Sequence, residues 1–224
     1  MSVYTFKDDP YSSHHRIAEL VRRLSPPGRI LDVGCDEGFA ARDLVKHGFQ
    51  VCGIDKEPAV LEKAALYYQQ TILADVENEL PAPDGQFEVI IFADILEHLR
   101  DPAAVFGHFT ALLVPEGLVV VSVPNVANWY VRLNLLCGRF DYRERGIMDR
   151  THLHFFTLRT ARRFLEEAGF RIEALDSTPL PLPLVWRWTA PGHALSFLHA
   201  FANLLARRWR SLFSYQLIFA ARRR

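Results

Sequence analysis

Ile30-Leu31-Asp32-Val33-Gly34-Cys35-Asp36-Glu37-Gly38 is a short apolar run carrying one acid, closed by a glycine and followed by a polar loop. The run reads as a buried strand, and the loop as its passage into a helix over residues 37–47. Gly34 lets the backbone come close to a ligand. Gly38 is expected in the first helical turn, where unpaired N–H groups would face that ligand. Strand, glycine loop and helix together make a nucleotide-type corner. Two features disfavour a dinucleotide. The Gly-x-Gly-x-x-Gly spacing is absent, and Asp32 stands two residues before Gly34, where it would repel a pyrophosphate. The same acid would attract a cationic amine. Asp55 ends the next apolar run, 21 residues after Gly34, a position suited to accepting from ribose hydroxyls.

Outward from this corner, apolar runs alternate with amphipathic stretches. Residues 29–33, 51–54, 71–73 and 87–93 read as strands, and 37–47, 57–68 and 102–113 as the helices between them. Such alternation predicts right-handed βαβ units and a parallel sheet. A fifth strand is expected over 117–123, introduced by the turn Pro115-Glu116-Gly117. Thr157 is expected to cap a helix running to Ala168, which Gly169 ends. Further strands are expected over 170–176 and 214–220. Near the start, Ser12-Ser13-His14-His15 precedes an amphipathic helix over 17–24.

The chain has 224 residues, half of them hydrophobic and 23% charged. That is enough to bury a core without a disulfide or metal staple, and it predicts a single domain over 1–224. Formal net charge is zero, but its distribution is not even. Residues 1–125 carry 10 Lys and Arg against 19 acids, a balance of −9, whereas residues 126–224 carry 16 Arg against 7 acids, a balance of +9. Cys35, Cys52 and Cys137 form neither a disulfide framework nor a zinc pattern, which suits a reducing compartment such as the cytoplasm. The first residues lack a signal-peptide core, and no apolar run reaches the ~18 residues of a spanning helix.

Four stretches carry a resemblance. Leu31-Asp32-Val33-Gly34-Cys35-x-x-Gly38, Val51-Cys52-Gly53-Ile54-Asp55, Ala74-Asp75-Val76-Glu77 and the run from Phe87 to Leu99 that contains Asp94-Ile95-Leu96-Glu97-His98 stand in order at expected strand ends. Over about residues 25–125 the chain resembles the class I S-adenosylmethionine-dependent methyltransferases. The resemblance implies a doubly wound, Rossmann-like α/β fold with a mixed seven-stranded sheet whose last strand is antiparallel. It implies S-adenosylmethionine as cofactor. Asp32 and Gly34, with Cys35 and Gly38 in the same loop, would hold its amino-acid end. Asp55 would take the ribose hydroxyls, and Asp75 with the Val76 backbone would meet the adenine. Asp94 would close the near side, or else cap the helix that follows it. The helix over 17–24 would fold over the cofactor, or else be a surface helix with a serine cap. Asp36 departs from the family, which commonly has glycine there.

On the acceptor side, residues 142–157 are dense in polar and aromatic types, with Met148-Asp149-Arg150-Thr151-His152-Leu153-His154 at their centre. A similar Thr-His element occurs in ubiquinone-biosynthesis O-methyltransferases and in methyltransferases of bacterial glycan gene clusters. It implies a hydroxyl acceptor on a small molecule, a sugar or a lipid-linked compound. Such an acceptor must lose a proton, which suits a histidine. His152 is the first candidate base and His98 the second, with hydrogen-bonded structural roles as the alternative. No metal site is expected, because His152 and His154 lack an evident third ligand. An amine acceptor, needing no strong base, is the rival within this fold. A non-catalytic cofactor-binding subunit is the rival outside it, and a nucleic-acid target is not expected. The insert over 179–212 opens Pro-Leu-Pro-Leu-Pro, carries Trp186, Trp188 and Trp209, and is expected to form a helix over 193–209. From Ser177 onward there are seven Arg and no acid. The insert reads either as a lid over the acceptor or as a peripheral contact with an anionic membrane, which would be the inner face for a cytoplasmic protein.

Overall fold

The computed structural model describes residues 9–182 and 192–224. Seven strands form one sheet in the order β3-β2-β1-β4-β5-β7-β6. They are β1 (Arg29–Val33), β2 (Gln50–Asp55), β3 (Gln70–Leu73), β4 (Phe87–Ala93), β5 (Leu113–Pro124), β6 (Phe170–Thr178) and β7 (Gln216–Arg223). β1 to β5 pair in parallel, and β7 runs antiparallel to both β5 and β6. This is the doubly wound mixed sheet with an antiparallel last strand.

The central strands read as near-continuous apolar runs because both faces of the sheet are covered. Alternate residues serve opposite faces. Leu31, Val33, Ile90, Phe92, Val119 and Val121 pack into one core with Phe106 and Phe109 of α4 (Pro102–Thr110) and Leu165 of α6 (Leu158–Glu167). Ile30, Val89, Ile91, Val120 and Ile218 pack into the other, with Ile17, Leu20 and Val21 of α1 (Ser13–Leu24), Leu44 of α2 (Arg42–Val45) and Leu61 of α3 (Pro58–Ala64). Strands from the acidic and the basic half of the chain thus share one sheet.

The caps follow the sequence. The Ser12 side chain accepts from the N–H of His15 and starts α1. Thr157 and Thr160 form a reciprocal capping box on α6. The expected helix over 37–47 is corrected. Gly34, Asp36 and Gly38 all have positive φ, at 69°, 46° and 81°. Left-handed residues so close together break the helical ladder, so residues 36–41 form turns and only the four residues of α2 are helical. The expected helices over 57–68 and 102–113 also end early, at Ala64 and Thr110. One helix, α5 (Trp129–Leu136), was not expected. The insert forms α7 (Gly192–Arg208) and a short α8 (Arg210–Phe213). Trp186 and Trp188 lie outside the described residues.

Candidate active site

The carboxyl ends of β1, β2 and β4 open onto a cavity of about 820 Å³, the edge at which open α/β sheets bind ligands. Its wall joins Gly34 and Asp36 after β1, Asp55 and Lys56 after β2, Asp75 and Val76 after β3, and Asp94 and His98 after β4. Glu144, Asp149, Arg150 and Thr151 reach it from the loop beyond α5. The four motif ends therefore meet at one place.

Gly34 is required there. A Cβ on it would collide with the Ile95 side chain, and its φ of 69° suits glycine. Asp55 terminates β2 and holds the first loop, accepting from Asp36 N–H at 2.9 Å and Glu57 N–H at 3.0 Å. Asp75 accepts from Glu77 N–H and from the Asn78 amide. Apolar Ile54, Val60, Ala74 and Val76 lie beside these acids.

Asp32, Cys35 and Gly38 sit behind the wall and are not among its lining residues. Asp32 is fully buried, and Tyr68 Oη donates to its Oδ2 at 2.7 Å. Its Oδ1 has no hydrogen-bond partner among the described residues. Burial pushes the Asp32 carboxyl up to about 7 against the Tyr68 hydrogen bond, with Asp55 and Asp36 adding to the rise. A cation brought to this oxygen would relieve both conditions. Burial, then Asp32 and its neighbours, pushes the Cys35 thiol upward, so it is a packing group and no nucleophile. Gly38 faces the Tyr68 ring, not a helix terminus. The expected cradle of helical N–H groups is therefore absent among the described residues, and the N–H groups of Gly34, Cys35, Asp36 and Gly38 all donate within the protein.

Asp94 caps nothing. The short 3-10 turn after it, Leu96–His98, has Ile95 at its N-cap with no side-chain bond. The Asp94 carboxylate instead accepts from Ser122 Oγ of β5 at 2.7 Å and Gln216 Nε2 of β7 at 2.5 Å. It ties the cavity floor to the antiparallel strand.

The two candidate histidines are placed differently. His98 lines the cavity, whereas His152 is 6% exposed and does not. His98 Nδ1 lies 3.1 Å from Thr151 Oγ1 and 3.3 Å from Thr151 O. Thr151 Oγ1 donates to Asp149 Oδ1 at 2.7 Å. With its proton given to Asp149, the hydroxyl accepts from His98, so Nδ1 carries the hydrogen and Nε2 the lone pair. His152 Nδ1 lies 3.1 Å from Ile147 O, which fixes the same tautomer. The two rings meet edge to face at 4.7 Å. Burial lowers both pKa values, and each imidazole is held toward its neutral form.

Glu97, beside them, was missed by sequence reasoning. It is 1% exposed, and neither carboxyl oxygen has a hydrogen-bond partner among the described residues. Burial, with Asp94 and Asp149 nearby, raises its pKa well above the usual range. One donor atom each from Glu97, His98 and His152 lie within 4.8 Å of one another. The third group that His152 lacked in the sequence is thus present, and His154 is not part of it, since His154 Nε2 turns to Arg100 O. Glu97 looked like an ordinary acid of a short helix. Its backbone carbonyl, accepting from Leu153 and His154 N–H groups, clamps the distant loop onto it.

Residues 9–175 match the Methyltransferase domain family. The ubiquinone biosynthesis O-methyltransferase of Cereibacter sphaeroides is 33% identical over 216 residues, covering 87% of this chain and 82% of that protein. The protein of the same name from Psychrobacter cryohalolentis is 35% identical over 105 residues, which are 43% of this chain and 41% of the relative, so the match spans less than half of that relative's length. Among solved structures, the magnesium protoporphyrin IX methyltransferase of Synechocystis with bound SAH has the same fold. Its TM-score is 0.62 at 18% identity, over 94% of this chain and 81% of that one.

Proposed function

The chain belongs to the class I S-adenosylmethionine-dependent methyltransferases, and from that premise we propose that it methylates an oxygen of a small organic acceptor held against His98. The residues present fit the cofactor. Gly34 keeps the turn after β1 in the left-handed conformation that brings its backbone to the cavity wall, and the partnerless Asp32 oxygen is a buried site for positive charge. Asp55 offers lone pairs to ribose hydroxyls, Val76 and Ala74 an apolar wall to the adenine, and Asp75 an acceptor at its edge. Bound S-adenosylmethionine would supply an electrophilic methyl group.

This chain's own task is then positional and protolytic. The loop from Glu144 to Thr151 fixes the acceptor's approach. His98 takes the acceptor's proton on Nε2, and the hydrogen bonds from Nδ1 to Thr151 hold that lone pair in place. Asp149, through Thr151, stabilises the imidazolium that forms. The carrying observation is this Asp149–Thr151–His98 chain at the cavity wall. An amine acceptor would leave it without work.

The test is incubation of the protein with methyl-labelled cofactor and panels of phenolic, sugar and amine acceptors, followed by mass spectrometry. Label in a hydroxyl product, lost in the His98→Ala variant, supports the reading. Label confined to amines and retained in that variant overturns it. A second reading is favoured by the Glu97–His98–His152 cluster, whose donors suit a divalent cation with an open position. Metal analysis of the purified protein, and activity before and after a chelator, separates the two.

A further inference from the structure

Among the described residues, two helices of the acceptor side carry stripes of exposed large apolar side chains. On α5, Trp129, Leu133 and Leu136 recur at i, i+4 and i+7 and are 40%, 51% and 84% exposed. On α7, Phe197, Phe201 and Leu204 repeat the spacing at 73%, 49% and 61% exposed, and Trp209 follows. Amphipathic helices of a globular domain turn such stripes inward. Here α5 buries Val131 and leaves its broader apolar face outside. Contiguous patches of this kind mark contact surfaces.

The stripes adjoin. Arg132, in the first turn of α5, donates to Ser211 O of α8 at 3.4 Å, and Asn125 and Asn128 hold Ser214 O at 3.0 and 2.8 Å. α8 thus bridges the end of α7 to the start of α5.

Charge identifies the occupant. Residues 126–140 and 192–215 contain Arg132, Arg139, Arg207, Arg208 and Arg210 and no Asp or Glu. Arg207 leans toward Asp176 at 3.7 Å. A second copy of the same face would bring arginines against arginines, whereas anionic headgroups complement them. Apolar stripes flanked by arginine, with tryptophan at the margin, are the pattern of a helix lying in a bilayer interface. No helix among the described residues is long and apolar enough to cross a membrane, so the contact is peripheral.

We propose that α5 together with α7 and α8 docks this protein on an anionic phospholipid bilayer. The placement has a consequence for the site. From exposed Phe140, rings follow one another inward through Phe155 at 6.1 Å, His152 at 6.2 Å and His98 at 4.7 Å. Docking would put the outer end of this aromatic path at the lipid surface and its inner end at the cavity. The inference does not depend on which atom is methylated.

Co-sedimentation of the full chain with vesicles of phosphatidylcholine, alone or mixed with phosphatidylglycerol, tests it. Binding is expected to the mixed vesicles at low salt and to weaken with ionic strength without vanishing, since apolar burial is not screened. Leu133→Ser with Leu136→Ser should cut partitioning by about tenfold or more. Arg132→Ser with Arg139→Ser should cut it at low salt and flatten the salt dependence. All four side chains are exposed, so cofactor affinity by calorimetry should hold in both variants. Protein left in the supernatant with mixed vesicles at low salt overturns the proposal. So does a dimer in solution that the leucine variant dissolves, which would make this face a contact between copies.

Discussion

The cofactor corner and the acceptor loop are built in opposite ways. In the corner, Asp55 and Asp75 sit at the ends of their strands and hold turns of the first half of the chain. Asp55 holds Asp36 and Glu57, and Asp75 holds Glu77 and Asn78. In the acceptor region, each group is fixed by partners far along the chain. His98 leans on Thr151, Asp94 on Gln216, and Glu97 clamps residues 153 and 154. The first region is set by backbone geometry that strands and glycines impose. The second exists only when three distant segments are folded together. A change in the corner should therefore act through binding or stability, and a change in the acceptor region through turnover.

The largest expected effect tests the second half of that contrast. His98→Ala should lower kcat by about 10²–10⁴ if its Nε2 takes the acceptor proton, while cofactor affinity measured by calorimetry stays near wild type. His152→Ala should cost less, because His152 does not line the cavity. Equal losses in both variants would mean that the pair acts as one unit, and a larger loss for His152 would reverse the assignment.

The next effect tests the corner as a place where stability is given up for binding. Asp32 has a folded pKa of about 7 against an ordinary 3.8, raised chiefly by burial. A raised carboxyl favours the fold at low pH, where both states are protonated, and that contribution is lost as pH climbs from about 4 through 7. At about 1.4 kcal/mol per pH unit, the loss above pH 7 approaches ~4 kcal/mol. Asp32→Asn should therefore make the cofactor-free protein more stable in urea at pH 8, with the gain fading toward pH 4. The same variant should bind S-adenosylmethionine more weakly. A gain of equal size at both pH values would show that Asp32 is not the titrating group.

Asp55→Ala follows. Loss of a charge-assisted acceptor should weaken cofactor binding by ~1.5–3 kcal/mol in a folded protein. Unchanged affinity would place the ribose elsewhere and dissolve the corner as a cofactor site.

The unequal legibility of the two regions has the same physical origin. Strand ends, glycines and the Thr157 cap are local, so β1, β4 and α6 were visible as patterns, Gly34 and Asp55 followed from them, and Asp75 and Asp94 came from the motif resemblance. Glu97 and Thr151 carry no such local mark. An acid in a short turn and a threonine in a loop are ordinary until contacts 50 residues away bury one and orient the other. α5 was missed for a related reason. A helix whose apolar stripe faces outward contributes little to the core pattern by which helices are found.

Gly38 gives the smallest effect and the cleanest contrast in sign. Its neighbourhood suggested the first turn of a helix over 37–47, where alanine is preferred to glycine by up to about 1 kcal/mol. The structure puts it instead at φ 81°, packed against the Tyr68 ring. An alanine Cβ there would lie 3.1–3.3 Å from Tyr68 ring and hydroxyl atoms and would also pay the left-handed penalty of ~1–2 kcal/mol. Gly38→Ala should therefore lower unfolding stability by about that amount, and the displaced Tyr68 should loosen its hydrogen bond to Asp32. If the variant is instead more stable and its circular dichroism shows added helix, the loop after β1 is helical. The corner would then bind its ligand through a helix terminus, and the contrast drawn between the two regions would lose its first half.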